Sequence, residues 1–226
     1  MADNDKKNSA LKAASLVESD MVVGLGTGST ANYFIEAIAE RKNNEGLKVT
    51  TVASSIVSAR IAKQYGLEVV AIENLSSIDI YVDGADEVTA DMTLLKGRGS
   101  DLVREKLLAN ASQQFYVLVD DSKLVKNIGD NFPIPIEVMP FAWQMVLTDL
   151  ENSGGVGGLR ENASGDGLAV TSHGSLVLDM HFNDKSSDEL NSLLNAAPGV
   201  VEHGIFADLA TTVFIGKNGI VELLKK

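Results

Sequence analysis

The chain has 226 residues, of which 45% are hydrophobic and 22% charged, the proportions of an ordinary globular protein. Its 31 acidic and 19 basic residues give a formal net charge of -12, and the absence of any run rich in lysine and arginine argues against a nucleic-acid-binding protein. No cysteine is present, so disulfides, thiolate metal sites and a cysteine nucleophile are excluded.

The first 20 residues are polar and charged, without the apolar core of a signal peptide. No apolar run approaches the about 20 residues that a membrane-spanning helix needs. Together with the lack of cysteine, these features predict a cytoplasmic protein that does not contact a membrane.

Short β-branched runs alternate with helix-like segments over roughly the first 125 residues. The predicted strands are 21–24, 48–52, 68–72, 78–83 and 115–119, and the predicted helices are 31–41, 56–64 and 102–109. Alternation of this kind predicts an α/β protein with a mostly parallel sheet that is covered on both faces.

The pattern changes at residues 131–135, where two prolines interrupt the chain. A strand, a helix from Pro140, a glycine-rich patch, two further strands and another helix follow. The predicted strands are 134–138, 167–171 and 175–181, and the glycine-rich patch is 154–158. The last predicted helix is 187–195, with Ser186 or Ser187 as its cap. This order predicts a small inserted α+β unit at about 132–204, after which 212–215 and 220–224 rejoin the first sheet.

The run Gly24-Leu25-Gly26-Thr27-Gly28-Ser29-Thr30 lies between the first predicted strand and the first predicted helix. Its glycines, hydroxyls and helix start suit a phosphate, although a plain strand-to-helix turn would also explain it. It departs from a dinucleotide fingerprint because position 29 is serine and no acidic residue ends the second strand. A P-loop is excluded because no Lys-Ser/Thr pair follows. We therefore expect no nucleotide cofactor.

Two charged segments lie farther along the chain, one rich in carboxylates and one that begins with a lysine. Asp83, Asp86 and Glu87 come at the end of a predicted strand, where ligands of open α/β sheets bind. A solvated acidic turn and a Mg²⁺ site are the alternatives. Farther along, Lys96 precedes a glycine pair and a helix that is predicted to begin near Ser100 or Asp101.

Glu105 lies about one turn into that helix, so its side chain can point back toward the loop. A charged helix face formed by residues 104–106 is the alternative. Lys123 follows the strand at 115–119. The glycine loop, the carboxylates and both lysines therefore map to one edge of the predicted sheet.

Taken together, these motifs resemble ribose-5-phosphate isomerase of the A type. The matching runs are G-x-G-T-G-S-T-A at 24–31, Y-V-D-G-A-D-E at 81–87, K-G-x-G with R-E-K at 96–106, D-x-S-K at 120–123, F-P-I-P-I-E-V-M-P at 132–140 and P-G-V-V-E-H-G-I-F-A at 198–207. Two positions depart from the family pattern: Arg98 stands where many members have glycine, and Asp101 replaces a small residue.

The resemblance implies a Rossmann-like domain at 1–131 and 205–226, with a smaller α+β lid domain inserted at 132–204. It implies a homodimer, with a tetramer as the alternative, that interconverts D-ribose 5-phosphate and D-ribulose 5-phosphate in the non-oxidative pentose phosphate pathway. Neither a metal nor another cofactor is expected, and the partner is a small sugar phosphate.

The resemblance also implies roles for individual residues. The phosphate-binding set is Thr27, Gly28, Ser29, Thr30 and Lys123, with Lys7 as a weaker addition because its alignment needs a gap. The loop Gly97, Arg98 and Gly99 contacts the substrate, and the reacting end of the sugar is lined by Asp83, Asp86, Lys96 and Glu105.

Aldose–ketose isomerisation moves one proton between C1 and C2 through an enediolate. We expect Glu105 to be the base that transfers this proton. Lys96 would stabilise the charge that develops on oxygen, and Asp83, with Asp86, would assist ring opening and the proton transfers at oxygen.

Two other functions are compatible with parts of the sequence. An amino-sugar-phosphate deaminase is the alternative within enzymes. The sugar-phosphate-sensing module of a transcription regulator is the alternative from another class, but neither the N-terminal stretch nor the acidic balance supplies a DNA-binding unit.

Overall fold

The computed structural model describes residues 2–99 and 101–226. Its helices are α1 (Ala2–Ala14), α2 (Ser29–Glu45), α3 (Ile56–Gln64), α4 (Leu102–Ala111), α5 (Trp143–Asn152) and α6 (Ser187–Ala196). Its strands are β1 (Val22–Leu25), β2 (Thr50–Ala53), β3 (Ile78–Gly84), β4 (Glu87–Val88), β5 (Leu94–Leu95), β6 (Ser112–Asp120), β7 (Ile134–Val138), β8 (Gly155–Leu159), β9 (Leu176–Phe182), β10 (Val200–His203), β11 (Ile205–Phe206), β12 (Thr212–Lys217) and β13 (Ile220–Lys225). No helix in these ranges is both long enough and apolar enough to cross a membrane.

The chain forms two compact units. The first comprises Met1–Ala85, Arg104–Lys123 and Leu209–Lys226, and the second comprises Asp86–Val103 and Leu124–Asp208. The sequence prediction had assigned 86–103, 124–131 and 205–208 to the parallel-sheet domain. Residues 86–103 and 205–208 group with the second unit because β4 and β5 pair with β11 there. Residues 124–131 join it through a bridge between Val88 and Leu124 and through the hydrogen bonds that Glu87 accepts from Gly129 N and Asn131 N.

The first unit is built on a sheet with the strand order β13-β12-β6-β3-β1-β2. All neighbouring strands in it run parallel except β12 and β13, which form an antiparallel pair at one edge. The predicted α/β class with a mostly parallel sheet is thus confirmed. Because β1, β3 and β6 are parallel, the loops after all three strands leave from the same edge of this sheet.

Helices α1 and α2 supply much of the core of the first unit. Phe34, Ile35 and Ile38 of α2 are fully buried, as is Ala10 of α1, and Ala14 of α1 is nearly so. Burial of each large apolar side chain contributes about 1.5–3 kcal/mol relative to exposure. This packing holds both helices against the sheet and so fixes where the loop before α2 begins.

The second unit is α+β, as predicted. Its larger sheet is antiparallel with the order β10-β7-β9-β8, and a smaller antiparallel sheet has the order β11-β5-β4. Helices α5 and α6 bury Val146, Leu150, Leu190 and Leu194 in its core. The cap of α6 is Ser186, whose side chain accepts a hydrogen bond from Glu189 N while the Glu189 carboxylate accepts one from Ser186 N.

Two predicted strands are wrong. At 68–72 the chain makes one isolated parallel bridge, between Thr51 and Val69, and then enters a 3-10 turn at Ile72–Asn74, which takes it away from the sheet edge. At 167–171 the pairing is limited to isolated bridges of Leu168 and Val170, because the intervening turns interrupt the ladder. β-branched composition alone did not reveal these turns.

Several elements differ from, or were missing in, the predicted pattern. Helix α1 was not predicted, because its buried face consists largely of alanines. The glycine-rich patch forms β8, where a Cβ on Gly157 would stand 1.9 Å from Asp179 O, so the glycine permits close strand pairing. The helix expected from Pro140 begins at Trp143, after a turn in which Ala142 N donates to Met139 O. Ser100, a predicted helix start, lies outside the described residues.

Candidate active site

The loop between β1 and α2 is anchored to the ends of two neighbouring strands. Thr27 N donates a hydrogen bond to Asp83 Oδ1 at 3.0 Å. The Thr27 hydroxyl lies 2.9 Å from Ser54 Oγ and donates to Ser55 Oγ at 2.7 Å. The backbone N–H and the hydroxyl of Thr27 therefore both hold the loop in place.

The start of α2 is open to solvent. Gly28 has a φ of 114°, a conformation that favours glycine, and it directly precedes Ser29, the first residue of the helix. Gly28 and Ser29 are exposed, and Thr30 is half-buried. The first N–H groups of an α-helix have no acceptor within the helix, so this end can bind an anion.

Asp83 lies at the end of β3 with a fully buried side chain. Its Oδ1 accepts hydrogen bonds from Thr27 N and from Gly84 N at 2.8 Å, and its Oδ2 accepts one from the Tyr81 hydroxyl at 2.5 Å. A buried carboxylate is costly unless it is hydrogen-bonded. These donors compensate for much of that cost and hold both carboxylate oxygens.

Glu105 and Asp83 both act on the same buried phenol. Glu105 lies in the first turn of α4, and only 5% of it is exposed. Burial, followed by the negative charges of Asp83 and Glu105, raises the pKa of Tyr81 well above its usual value of 10.0. Asp83 and Glu105 of the first unit thus both lie near enough to Tyr81 for their charges to act on its hydroxyl.

Lys123 lies in a short 3-10 turn after β6 and is half-buried. It lines a cavity of about 430 Å³ together with Asp5, Lys6, Asp120, Asp121, Ser122 and Asn218. Lys7 is exposed and is not among the residues that line this cavity. Gly219 N donates to Asp5 Oδ1 at 2.6 Å, which fixes α1 beside the hairpin of β12 and β13 and places Lys6 at the cavity.

The loop that follows β5 lies in the second unit. Lys96 is buried, its N–H donates to Gly204 O at 2.8 Å, and its ammonium nitrogen is 5.7 Å from the centre of the Phe206 ring. Gly97 has a φ of 100°, and a Cβ there would overlap the Leu102 side chain. Glycine is therefore required directly after Lys96.

Arg160 connects the same loop to the larger sheet of the second unit. Its guanidinium donates to both carboxylate oxygens of Asp179, at 2.6 and 2.8 Å. It also donates to Gly97 O at 3.0 Å and to Arg98 O at 3.3 Å. The exposed Arg98 places its own guanidinium 4.2 Å from the centre of the Phe132 ring. Gly99 is also exposed.

The remaining carboxylates of the acidic segments have different surroundings. Asp86 is half-buried, and its N–H donates to Leu95 O at 2.8 Å. Glu87 is fully buried, and its carboxylate accepts hydrogen bonds from the N–H groups of Gly129, Asn131 and Phe132. Glu87 is thus a structural residue that shapes the loop before β7. Asp101 accepts a hydrogen bond from the Ser172 hydroxyl at 3.0 Å.

In the described ranges, no set of side chains supports the alternative of a divalent metal site. Within residues 2–99 and 101–226, no group of three or more histidine, aspartate or glutamate side chains is arranged to hold a metal ion. Hard divalent cations usually need several such oxygen ligands.

The comparisons with known proteins identify the family to which this fold belongs. The family model for ribose 5-phosphate isomerase A (phosphoriboisomerase A) matches residues 50–219. The chain belongs to this family. It is 41% identical over 210 residues to ribose-5-phosphate isomerase A of Thermosynechococcus vestitus, covering 92% of this chain and 89% of the relative. It is 42% identical over 213 residues to that of Thermococcus kodakarensis, covering 93% of each.

Two solved structures support the same assignment over the whole fold. Ribose 5-phosphate isomerase A from Methanocaldococcus jannaschii superposes with a TM-score of 0.93 at 38% identity and 98% coverage of each chain. A D-ribose-5-phosphate isomerase in complex with phospho-erythronic acid gives a TM-score of 0.95 at 35% identity and 100% coverage of each chain. The resemblance inferred from the motifs is confirmed.

The predicted site residues are divided between the two units. The first unit contains Thr27, Gly28, Ser29, Thr30, Asp83, Glu105, Lys123 and Lys7, whereas the second contains Asp86, Lys96, Gly97, Arg98 and Gly99. Sequence reasoning did not single out Tyr81, which donates a hydrogen bond to Asp83, or Lys6, which lines the same cavity as Lys123. Lys6 was detectable in principle, because it lies four residues before the buried Ala10 and so belongs to the inward stripe of α1.

Proposed function

We infer that the chain is an aldose–ketose isomerase that interconverts D-ribose 5-phosphate and D-ribulose 5-phosphate. The observation that carries this inference is the pair of buried carboxylates, Asp83 and Glu105, whose charges both act on Tyr81. The relatives named above support it over nearly the whole chain, and one of them binds phospho-erythronic acid, a phosphorylated sugar acid. The reaction belongs to the non-oxidative pentose phosphate pathway.

The substrate and product are isomers, so the reaction needs no external oxidant or reductant. A base removes the proton from one carbon, the enediolate forms, and the same group returns the proton to the neighbouring carbon. We assign this role to Glu105, because it is a nearly buried carboxylate in the first turn of α4.

Charge on the enediolate oxygen requires a nearby cation or donor. Lys96 is the residue that we propose for this role, and its burial supports the proposal because a desolvated ammonium interacts more strongly with an anion. Asp83 and Asp86 would assist ring opening and the proton movements at oxygen. Gly97, Arg98 and Gly99 would then contact the sugar from the same loop as Lys96.

We propose that the phosphate binds at the N-terminus of α2, through Gly28, Ser29 and Thr30, with help from lysine side chains. Thr27 contributes by holding the loop, since its hydroxyl is already bonded to Ser54 and Ser55. Lys123 and Lys6 line the same cavity, so we propose that these two lysines act together on the phosphate. The sequence suggested Lys7, which remains the alternative to Lys6.

The assembly and the compartment are further proposals. We propose a cytoplasmic homodimer, with a homotetramer as the alternative; the absence of cysteine supports a reducing compartment. Light scattering at micromolar concentration would give about twice or four times the chain mass of 24.0 kDa. A mass near that of one chain would contradict the oligomer.

The activity itself is tested by mixing purified protein with ribose 5-phosphate and following formation of the ketose. Glucosamine 6-phosphate in a parallel reaction, with ammonia as the readout, tests the deaminase alternative. Ketose from the first mixture without ammonia from the second is the expected result. The opposite pattern would replace the isomerase with the deaminase.

A further inference from the structure

Tyr81 is a polar residue in a place where the fold alone would accept phenylalanine. Its side chain is fully buried in β3, and its ring stacks on Phe115 of β6 at a centroid distance of 5.0 Å. A buried hydroxyl must find a hydrogen-bond partner, so it adds a constraint that an apolar ring would avoid. The partner here is Oδ2 of Asp83, at 2.5 Å.

The Tyr81 hydroxyl remains a hydrogen-bond donor over the pH range in which an enzyme works. Burial and the nearby carboxylates raise the pKa of Tyr81 well above 10.0, so the phenol keeps its proton at neutral pH. It can therefore orient a neighbouring group, but it is poorly suited to exchange protons with a substrate.

The hydrogen bonds to Asp83 act on both of its oxygens. Oδ1 accepts from the backbone at Thr27 and Gly84, and Oδ2 accepts from Tyr81. The terminal torsion of an aspartate is soft, so one held oxygen leaves the carboxylate free to rotate. Donors on both oxygens define its plane, and the stacked ring defines the position of the Tyr81 donor.

We propose that Tyr81 is a positioning residue of the isomerase reaction, whose hydroxyl holds Oδ2 of Asp83 and so keeps that carboxylate in one orientation toward the sugar. The proposal rests on the proposed function, in which Asp83 assists ring opening and the proton transfers at oxygen. Tyr81 itself does not touch the reacting atoms and does not change its protonation state during turnover.

The test compares Tyr81→Phe with the native enzyme. The variant keeps the ring and its stacking on Phe115 but removes the donor, so we expect kcat to fall about 10- to 100-fold, as for loss of a hydrogen bond to a charged group, with little change in KM. Tyr116→Phe is the matched control. Tyr116 is also a buried tyrosine in the same sheet, but its hydroxyl donates to Gln114. Its removal should leave kcat unchanged.

A double-mutant cycle separates positioning from structural support. If Tyr81 acts through Asp83, Tyr81→Phe should cost little further activity in an Asp83→Asn background. Equal penalties in both backgrounds, or near-native kcat in the single variant, would overturn the proposal. Thermal melting shows whether each variant is folded at the assay temperature. If Tyr81→Phe is not folded, Tyr81→Met, which also removes the hydroxyl, takes its place in the test.

The same experiments distinguish failure of the proposal from failure of the proposed function. Absence of ketose with the native enzyme would remove the isomerase assignment. Native activity with full retention in Asp83→Asn would remove Asp83 from the mechanism, and the role of Tyr81 with it. Native activity, a large loss in Asp83→Asn and no loss in Tyr81→Phe would overturn the positioning role alone.

Discussion

A methyl group on the α-carbon of Gly26 would stand 2.2 Å from Oδ1 of Asp83. The closeness follows from the parallel register of β1 and β3, in which Leu25 is paired with Val82 and Gly26 N donates to Val82 O at 2.8 Å. Gly26 is therefore required for steric reasons: it leaves room for the carboxylate that Thr27, Gly84 and Tyr81 hold.

Gly26→Ala should displace the Asp83 carboxylate and reduce kcat/KM by about 100-fold, the cost of a misplacement of about 1 Å in an active site. Overpacking should also lower the free energy of unfolding by about 1–3 kcal/mol. Gly158→Ala is the control, because in the described part of the chain the Cβ that it would add meets no atom within 4 Å apart from its own chain neighbours. Steady-state kinetics and denaturant unfolding measure both effects. A Gly26→Ala enzyme with native kcat/KM would contradict this reading of the site.

The sequence was sufficient to predict the parallel sheet and the edge at which its functional loops meet. The reason is that buried parallel strands are continuous apolar runs, and the residues that follow them share one edge. The acidic run after β3 was less informative, because composition does not show which carboxylate has structural partners. Glu87 is held by backbone N–H groups, whereas Asp83 is held by the glycine loop and Tyr81.

Partners that are distant in sequence could not be predicted from local patterns. Ser54 and Ser55 hold Thr27 across the sheet edge, and Tyr81 bonds to Asp83 although it reads as an ordinary strand residue. Lys6 was missed because α1 itself was missed. For Thr27 and Asp83 tertiary contacts determine the partners, and a period or a motif in one segment contains no information about those contacts.

A second prediction concerns Glu137 of β7, which is fully buried. Its Oε1 accepts a hydrogen bond from the Thr171 hydroxyl at 2.8 Å, and its Oε2 has no hydrogen-bond partner in the part of the chain that the structure describes. Burial, with a smaller contribution from the charge of Asp101, raises the pKa of Glu137 above its usual 4.5. Hydrogen bonds from Thr171 and Ser175 and the charge of His173 oppose the shift.

The folded state therefore keeps the proton of Glu137 to a higher pH than the unfolded state does. The stabilisation from protonated Glu137 is fully present below pH 4.5 and is lost as the pH rises through the folded-state pKa. The loss amounts to about 1.4 kcal/mol for each pH unit by which the folded-state pKa exceeds the unfolded-state pKa. Glu137→Gln should remove this loss and be at least as stable as the native protein at pH 8. Urea unfolding at pH 5 and pH 8 measures the difference, with the exposed Glu151→Gln as control. A variant that is less stable than the native protein at pH 8 would show that the ionised form is favoured.

The phosphate site gives a third prediction. Lys123→Ala and Lys6→Ala should each lower kcat/KM for ribose 5-phosphate about 10- to 100-fold, mainly through KM, because a charged contact to the phosphate is lost. Some fall in kcat is expected, since binding energy at the phosphate also orients the reacting end. Unphosphorylated ribose should show much smaller effects. Lys7→Ala, the exposed neighbour on α1, should change little; a larger effect from Lys7 than from Lys6 would reverse their assignment.

Chelation gives a fourth prediction. Lys96, Lys123 and the start of α2 can balance the phosphate and the enediolate, so activity should survive prolonged treatment with EDTA. The described ranges 2–99 and 101–226 also contain no group of three or more histidine, aspartate or glutamate side chains suited to a metal. Loss of turnover that Mg²⁺ or Mn²⁺ restores would show that a metal takes part in the reaction.

The fifth prediction tests Glu105 as the base. Glu105→Gln keeps the size of the side chain and removes its basicity, so the fold and substrate binding should change little. Loss of a general base typically lowers the rate about 10²- to 10⁴-fold, or about 3–5 kcal/mol in activation free energy. The loss should appear in kcat and not in KM. Glu40→Gln, on the exposed face of α2, is the control for removal of one negative charge.

Hydrogen exchange connects that loss to the proton transfer itself. In D₂O the native enzyme should place solvent deuterium at C2 of ribose 5-phosphate, because the base takes the proton from the neighbouring carbon of the ketose and can exchange it before returning it. If Glu105 is that base, Glu105→Gln should slow deuterium incorporation in parallel with turnover. Slow turnover with near-native exchange would mean that another group abstracts the proton, and that Glu105 acts at a later step. Asp83, the other buried carboxylate that acts on Tyr81, would then be the first candidate for the base.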